Sequence, residues 1–209
     1  MSVTRRDVAV GSALALVLGP GRARAATDPQ GAAAFVRQLG EQALAVLRGN
    51  AASLEQREAS FRGLLRNGFE LDFIGRFTLG RHARSLTPDQ QADFREAFGE
   101  FILKTYARRL SAYSGEVFTV TGAQPAGEHD ALVSSRIDRP GGAPALMADW
   151  RVRNFGGAYK VVDVVVQGVS MALTQRQEFA SVIGSSGING LIAQLRARAD
   201  KAPAVQAQR

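Results

Sequence analysis

The chain has 209 residues, a formal net charge of +7 and no cysteine. Disulfides, thiol catalysis and Cys-ligated metals are therefore excluded, and the fold must rest on its core. The basic balance does not point to nucleic acid, because no run of Lys and Arg is interleaved with aromatic residues.

Residues 1–25 read as an export leader. Arg5 and Arg6 open it, Val8 to Leu18 form an apolar run, and Gly19-Pro20-Gly21 ends the helix. Ala23-Arg24-Ala25 then places small residues where a signal peptidase reads them. The apolar run falls short of the ~20 residues of a membrane span. Thr4-Arg5-Arg6-Asp7 is similar to a twin-arginine signal, and Arg22 and Arg24 suit that route, while Val8 and Ala9 depart from it; the route stays open. Cleavage after Ala25 removes four arginines and one aspartate, lowering the formal charge to +4. That charge is compatible with anionic headgroups and diagnostic of none. No cysteine stands at the cut to carry a lipid anchor, so in a two-membrane bacterium the mature chain is expected free in the periplasm. Its length suits one domain, expected over 26–199, with a polar, disordered tail over 200–209.

Helical spacing predicts a first helix over Gly31 to Arg48 and a second over Ser53 to Asn67, with Ser53 as N-cap. A short helix over Leu71 to Leu79 ends at Gly80. Thr87-Pro88-Asp89-Gln90 gives the clearest start signal: Thr at the N-cap, Pro first, Gln third. Behind it Phe94, Phe98, Phe101, Ile102, Tyr106, Leu110 and Tyr113 recur as an aromatic stripe, which fits a helix packed on a sheet or one wall of a cavity. After Gly115 the period becomes two. Val117 to Thr121, Ala131 to Ile137 and Leu146 to Asn154 read as strands, and Gly156-Gly157 turns the chain into a central strand, Tyr159 to Val166. Two closing helices are expected over Leu173 to Ile183 and Ile188 to Arg198. The order predicts an α+β domain: a curved antiparallel sheet of about four strands with helices before and after it.

Catalytic equipment is sparse. His82 and His129 stand among polar neighbours without metal-ligand spacing, and no nucleophile elbow or phosphate loop is present. Asp163 is the one acid that could matter. Strict alternation puts it on the face of Tyr159, Val161 and Val165. There it either serves as a general base in an apolar pocket, as in small hydrophobic-pocket isomerases or hydratases, or pairs with an arginine or backbone N–H groups. What remains is apolar lining without a reaction centre, which suits a greasy ligand. A diacyl lipid has ~30 methylenes at ~0.8 kcal/mol each, so exposing them would cost on the order of 25 kcal/mol. A carrier must enclose them in a dry cavity.

Several blocks carry a family resemblance that spans roughly residues 30 to 198. Phe73-Ile74-Gly75-Arg76-Phe77-Thr78-Leu79-Gly80-Arg81 is one, and Thr87-Pro88-Asp89-Gln90-Gln91 with Phe94, Phe98 and Tyr106 is a second. The most specific is Tyr159-Lys160-Val161-Val162-Asp163-Val164 with Gly168-Val169-Ser170, leading to Arg176, Phe179 and Gly187-Ile188-Asn189-Gly190-Leu191-Ile192. These blocks resemble the MlaC family, also called toluene-tolerance proteins, the periplasmic phospholipid-binding components of a lipid ABC transport system. The chain departs from the family pattern at Tyr159 (often Trp), Val166-Gln167 (Ile-Glu) and Thr174-Gln175-Arg176 (Asn-Tyr-Arg), changes that bear on headgroup preference. The resemblance implies a soluble carrier, not an enzyme and without cofactor. It would move phospholipid between an outer-membrane lipoprotein–porin complex and an inner-membrane lipid ABC transporter. Some relatives accompany hopanoid synthesis, which makes a polycyclic lipid the alternative cargo.

The expected cavity takes Phe94, Phe98, Ile102 and Tyr106 from the long helix. Trp150 and Val152 come from the third strand, and Val162, Val164 and Val166 from the central one. Val169 and Met171 are expected near the mouth.

Overall fold

The computed structural model describes residues 26–48, 53–110 and 115–201. The expected leader, Tyr113, the side chain of Leu110 and residues 202–209 of the expected tail lie outside the described residues.

Helix α1 (Pro29–Arg48) begins two residues before the predicted start. The Asp28 carboxylate accepts from Gly31 N at 2.7 Å and Gln30 N at 3.3 Å, and Pro29 supplies the preset first φ. Helices α2 (Leu54–Gly68) and α4 (Pro88–Leu110) both open on reciprocal capping boxes. Ser53 Oγ accepts from Gln56 N at 3.2 Å and Gln56 Oε1 from Ser53 N at 2.9 Å; Thr87 and Gln90 repeat the exchange at 3.2 and 3.1 Å. Between them α3 (Leu71–Leu79) runs into a 3-10 turn, Gly80–Arg84.

Strands β1 (Val117–Ala126), β2 (Asp130–Asp138), β3 (Leu146–Phe155), β4 (Ala158–Val166) and β5 (Val169–Ser170) form one antiparallel meander in chain order. The four expected strands are present and a two-residue fifth joins them. Gln167 (φ 49°) and Gly168 (φ 80°) make the β4–β5 turn, the double left-handed geometry that suits a tight hairpin. Helix α5 (Met171–Lys201) breaks at Gly187, whose φ of 68° and ψ of −179° belong to glycine's own region. The predicted gap between Ile183 and Ile188 falls there, and the second segment continues through Asp200 into what was expected as tail.

Three apolar cores hold these elements. Phe94, Phe98 and Phe179 centre the first, built from α3, α4 and α5; Phe94 stacks on Phe98 at 5.5 Å, and Phe179 meets both edge-on at 6.2 Å. The second lays α1, through Ala32, Ala33 and Val36, on Ala131, Val133 and Val152 of the sheet. The third joins α2 to α4 through Phe61, Leu65 and Leu103. Buried Thr27 ties the start of the described chain to two strand turns, donating to His129 O at 2.5 Å and accepting from Asn154 N at 2.8 Å.

Candidate functional site

Strand register sorts the apolar residues of the sheet into rows across the face that α1 covers. Ala131, Val152 and Val161 form one row, and Val133, Trp150 and Val164 the next. Ser135, Ala148, Val166 and Val169 form a third, and Phe118, Ile137 and Leu146 a fourth. Burial falls from β2 towards β5 within the second and third rows, where Val133, Ser135 and Ala148 are buried. The first row is fully buried, whereas Trp150, Val164, Val166, Ile137 and Leu146 are half-buried and Val169 is 51% exposed. The cause is coverage: α1 seals the first rows, while α4 packs on α5, α2 and α3. One corner of an apolar face is thus left open.

That corner carries no free polar side chain at its centre. Trp150 Nε1 donates to Ser135 Oγ at 2.9 Å, and that buried hydroxyl donates to Ala148 O at 2.9 Å. Phe69 and Phe118 flank the indole edge-on at 6.4 and 6.0 Å. Phe69 also floors, with Leu103, a cleft of about 460 Å³ between α2, α3, α4 and Lys160. Its rim mixes Arg66, Arg95, Glu70 and Glu100. Phe69 therefore touches both the cleft and the indole.

Asp163 is placed differently from the alternating pattern. Val161 pairs with Val152 and Asp163 with Arg151, so Val162 is the extra residue of a β-bulge. The bulge flips parity: Tyr159 and Val161 keep the α1 face, and Asp163 goes to the opposite, charged one. Of the three residues expected on its face, Val165 stays with Asp163, and the expectation is corrected for Tyr159 and Val161. The carboxylate of Asp163 accepts from Ser170 Oγ at 2.6 Å and from Ala172 N at 3.0 Å, while Leu173 N donates to Ser170 Oγ at 3.0 Å. Asp163 and Ser170 thus cap the start of α5 together, and a carboxylate there also complements the positive end of the helix. On the same charged face, buried Asp130 accepts from Arg153 Nε at 2.6 Å and Nη2 at 3.2 Å, with Arg151 at 3.5 Å. The Arg153 guanidinium lies 4.6 Å from the Phe73 ring centre.

Of the residues expected to line a cavity, Trp150, Val152, Val164, Val166 and Val169 share the α1 face. Val162 is buried at the bulge, and half-buried Met171 opens α5. Phe94 and Phe98, with Ile102 beside them, lie instead in the all-helical core, and Tyr106 packs in the α2–α4 core. Helical period shows which side of α4 is apolar; it does not show that α5 covers much of it. Phe118, Ile137 and Leu146 went unselected although strand alternation marks them, and Phe69 sits between two helices where no period could find it. His82 is half-buried, and exposed His129 has Glu128 at 3.9 Å. Among the described residues no helix is long and apolar enough to cross a membrane.

Comparison with known proteins accounts for this arrangement. The sequence pattern of the family described as MlaC protein matches residues 37–197. The intermembrane phospholipid transport system binding protein MlaC of Haemophilus influenzae is 26% identical over 175 residues, covering 80% of this chain and 81% of that protein. Toluene tolerance protein ttg2D of Pseudomonas putida is 26% identical over 132 residues, 59% of this chain and 61% of its own. A phospholipid-binding protein of Ralstonia solanacearum, solved in complex with a phospholipid, superimposes with a TM-score of 0.72 at 22% identity, over 82% of this chain and 98% of that one. The sheet with its flanking helices is thus a fold shared with that protein, and the chain belongs to the MlaC family.

Proposed function

We propose that the chain is a phospholipid carrier that seats acyl chains against the open corner of the sheet and makes or breaks no bond. The observation that carries this reading is the burial gradient. An apolar face whose polar atoms are internally satisfied stops being covered at Trp150, Val164 and Val166. Leaving such a surface to water is unfavourable, and acyl methylenes are the ligand that matches it without asking for a hydrogen bond. The names of the Haemophilus and Ralstonia relatives support the same ligand class.

In the proposed site Trp150, Val164 and Val166 form the sheet wall, Val152 lies behind it under α1, and Val169 and Met171 stand at its edge. Val162 and the α4 residues Phe94, Phe98, Ile102 and Tyr106 back the structure from the bulge and the helical cores. The cleft floored by Phe69 and Leu103 is the proposed way in, since its volume lies within the ~300–1,000 Å³ usual for ligand pockets. The finer form of the proposal places the carrier in the periplasm. There it exchanges cargo with an outer-membrane lipoprotein–porin complex and an inner-membrane lipid ABC transporter.

The test is mass spectrometry on an organic extract of protein purified from periplasm without detergent. Near-stoichiometric glycerophospholipid is expected. Hopanoid in its place would change the cargo, and a protein that arrives empty and takes up no lipid from vesicles would end the carrier reading.

A further inference from the structure

A second surface lies where the end of α3, the 3-10 turn and the first turns of α5 meet. Two large apolar side chains are exposed there, Phe77 at 38% and Leu173 at 46%. Exposed Arg176 follows Leu173 by one helical turn on the same side of α5, and its guanidinium carbon lies 5.2 Å from the centre of the Phe77 ring. The side chain reaches that position by crossing Gly80. A Cβ on Gly80 would stand 2.8 Å from Arg176 Nε, and the φ of 56° also favours glycine. Arg176 is therefore held close to both a glycine and an aromatic ring while remaining exposed.

More arginines flank Gly80 along the chain. Arg76 precedes Phe77, and Arg81 and Arg84 stand three apart in the 3-10 turn, the spacing at which side chains eclipse on one side. All three are exposed, and among the described residues none of the four arginines is paired with a carboxylate. The nearest acids on the same helices are already engaged: Asp72 by Arg95 at 3.4 Å, and Glu178 by Arg198 at 2.5 Å. The patch thus carries one sign of charge around two apolar side chains.

We propose that this patch docks the protein reversibly on an anionic bilayer surface, with Phe77 and Leu173 entering the headgroup layer and the four guanidinium groups meeting lipid phosphates. Two apolar side chains among unpaired cations differ from the centre of a stable protein interface, which is more apolar and depleted of charge. They are sufficient for shallow interfacial insertion when cations supply the rest. A planar, stacked guanidinium matches phosphate oxygens in pairs, and loose charge complementarity suits a fluid surface. Each arginine near such a surface strengthens association about fivefold, and added salt removes the gain. Docking of this kind does not depend on what the cavity holds.

The protein purified from periplasm is sedimented with phosphatidylcholine vesicles with and without phosphatidylglycerol, and protein is read in the pellet. Binding is expected with phosphatidylglycerol alone, to fall between about 0.05 M and about 0.5 M salt. It is expected to fall more than tenfold in Arg76→Gln/Arg81→Gln/Arg84→Gln. Phe77→Ser should weaken binding while leaving its salt dependence in place. Circular dichroism keeps these surface variants comparable with the parent chain. Equal binding by parent and variants, or no binding to either vesicle, overturns the proposal. Retention on polyglutamate without vesicle binding would also overturn it, in favour of an acidic protein partner. Lipid content measured on the same preparations reads the cargo separately, so either reading can fail alone.

Discussion

Asp163 shows how one residue can look catalytic and serve the fold. Both of its oxygens are taken, one by the Ser170 hydroxyl and one by the Ala172 amide, so the carboxylate couples the central strand to the first turn of α5. Asp163→Ala leaves the buried end of that arrangement without its acceptor and should lower stability by about 1–3 kcal/mol. Asp163→Asn, which keeps an acceptor and loses the charge, should fall between. Urea denaturation measures both, and lipid content should not change. A stable Asp163→Ala protein would remove the capping account. The Val-Val-Asp-Val block was legible in the sequence as a strand with an odd acid in it. Its direction was not, because the bulge at Val162 exists only in the two-against-one pairing with β3.

At the scale of elements, α1 illustrates a sign reversal. Glycine in a helix is usually worse than alanine by roughly 1 kcal/mol. Yet a Cβ on Gly31 would fall on the Tyr159 hydroxyl, and one on Gly40 would stand 2.5 Å from the Phe118 ring. These two glycines let α1 approach the sheet, where Phe35 stacks on Tyr159 at 6.2 Å. Gly31→Ala and Gly40→Ala should each destabilise by about 1–3 kcal/mol through overpacking. Gly63 in α2 has open space around its Cβ position, and Gly63→Ala should stabilise by about 0.5–1 kcal/mol. Thermal unfolding of the three variants checks the signs; a Gly40→Ala protein that gains stability would mean α1 sits farther from the sheet. Helix starts at Ser53 and Thr87 could be read because capping chemistry is local. The close approach of α1 could not, since it depends on Phe118 and Tyr159, which lie far along the chain from Gly40 and Gly31.

At the scale of the whole molecule, the three cores divide the labour. The helical core around Phe98 and Phe179 and the α1–sheet core around Val133 and Val152 are closed. The α2–α4 core leaves Phe69 and Tyr106 half-buried, and Phe69 meets Trp150 at the open corner. Sequence periodicity found the apolar faces of all these elements, and it could not assign which face covers which, so Phe94 and Phe98 were read as wall where they pack helix on helix. The open corner is the place where a charge should act on cargo more than on folding. Val164→Glu is expected to remain folded, because the site is half-buried and water can reach it, and to lose co-purifying lipid at least tenfold by mass spectrometry. A folded variant that retains its lipid would move the cargo away from this face.

The chain contains a single tryptophan, and it is Trp150. Its ring is held by a hydrogen bond on one edge and by Phe69 and Phe118 on its flanks, and it borders the uncovered part of the sheet. If acyl chains seat as proposed, the chain's principal chromophore stands where polarity would change on filling. Emission from the unlabelled protein would then read occupancy directly. Uptake and release of lipid could be followed in real time, in mixtures with other membranes or proteins, without attaching a dye.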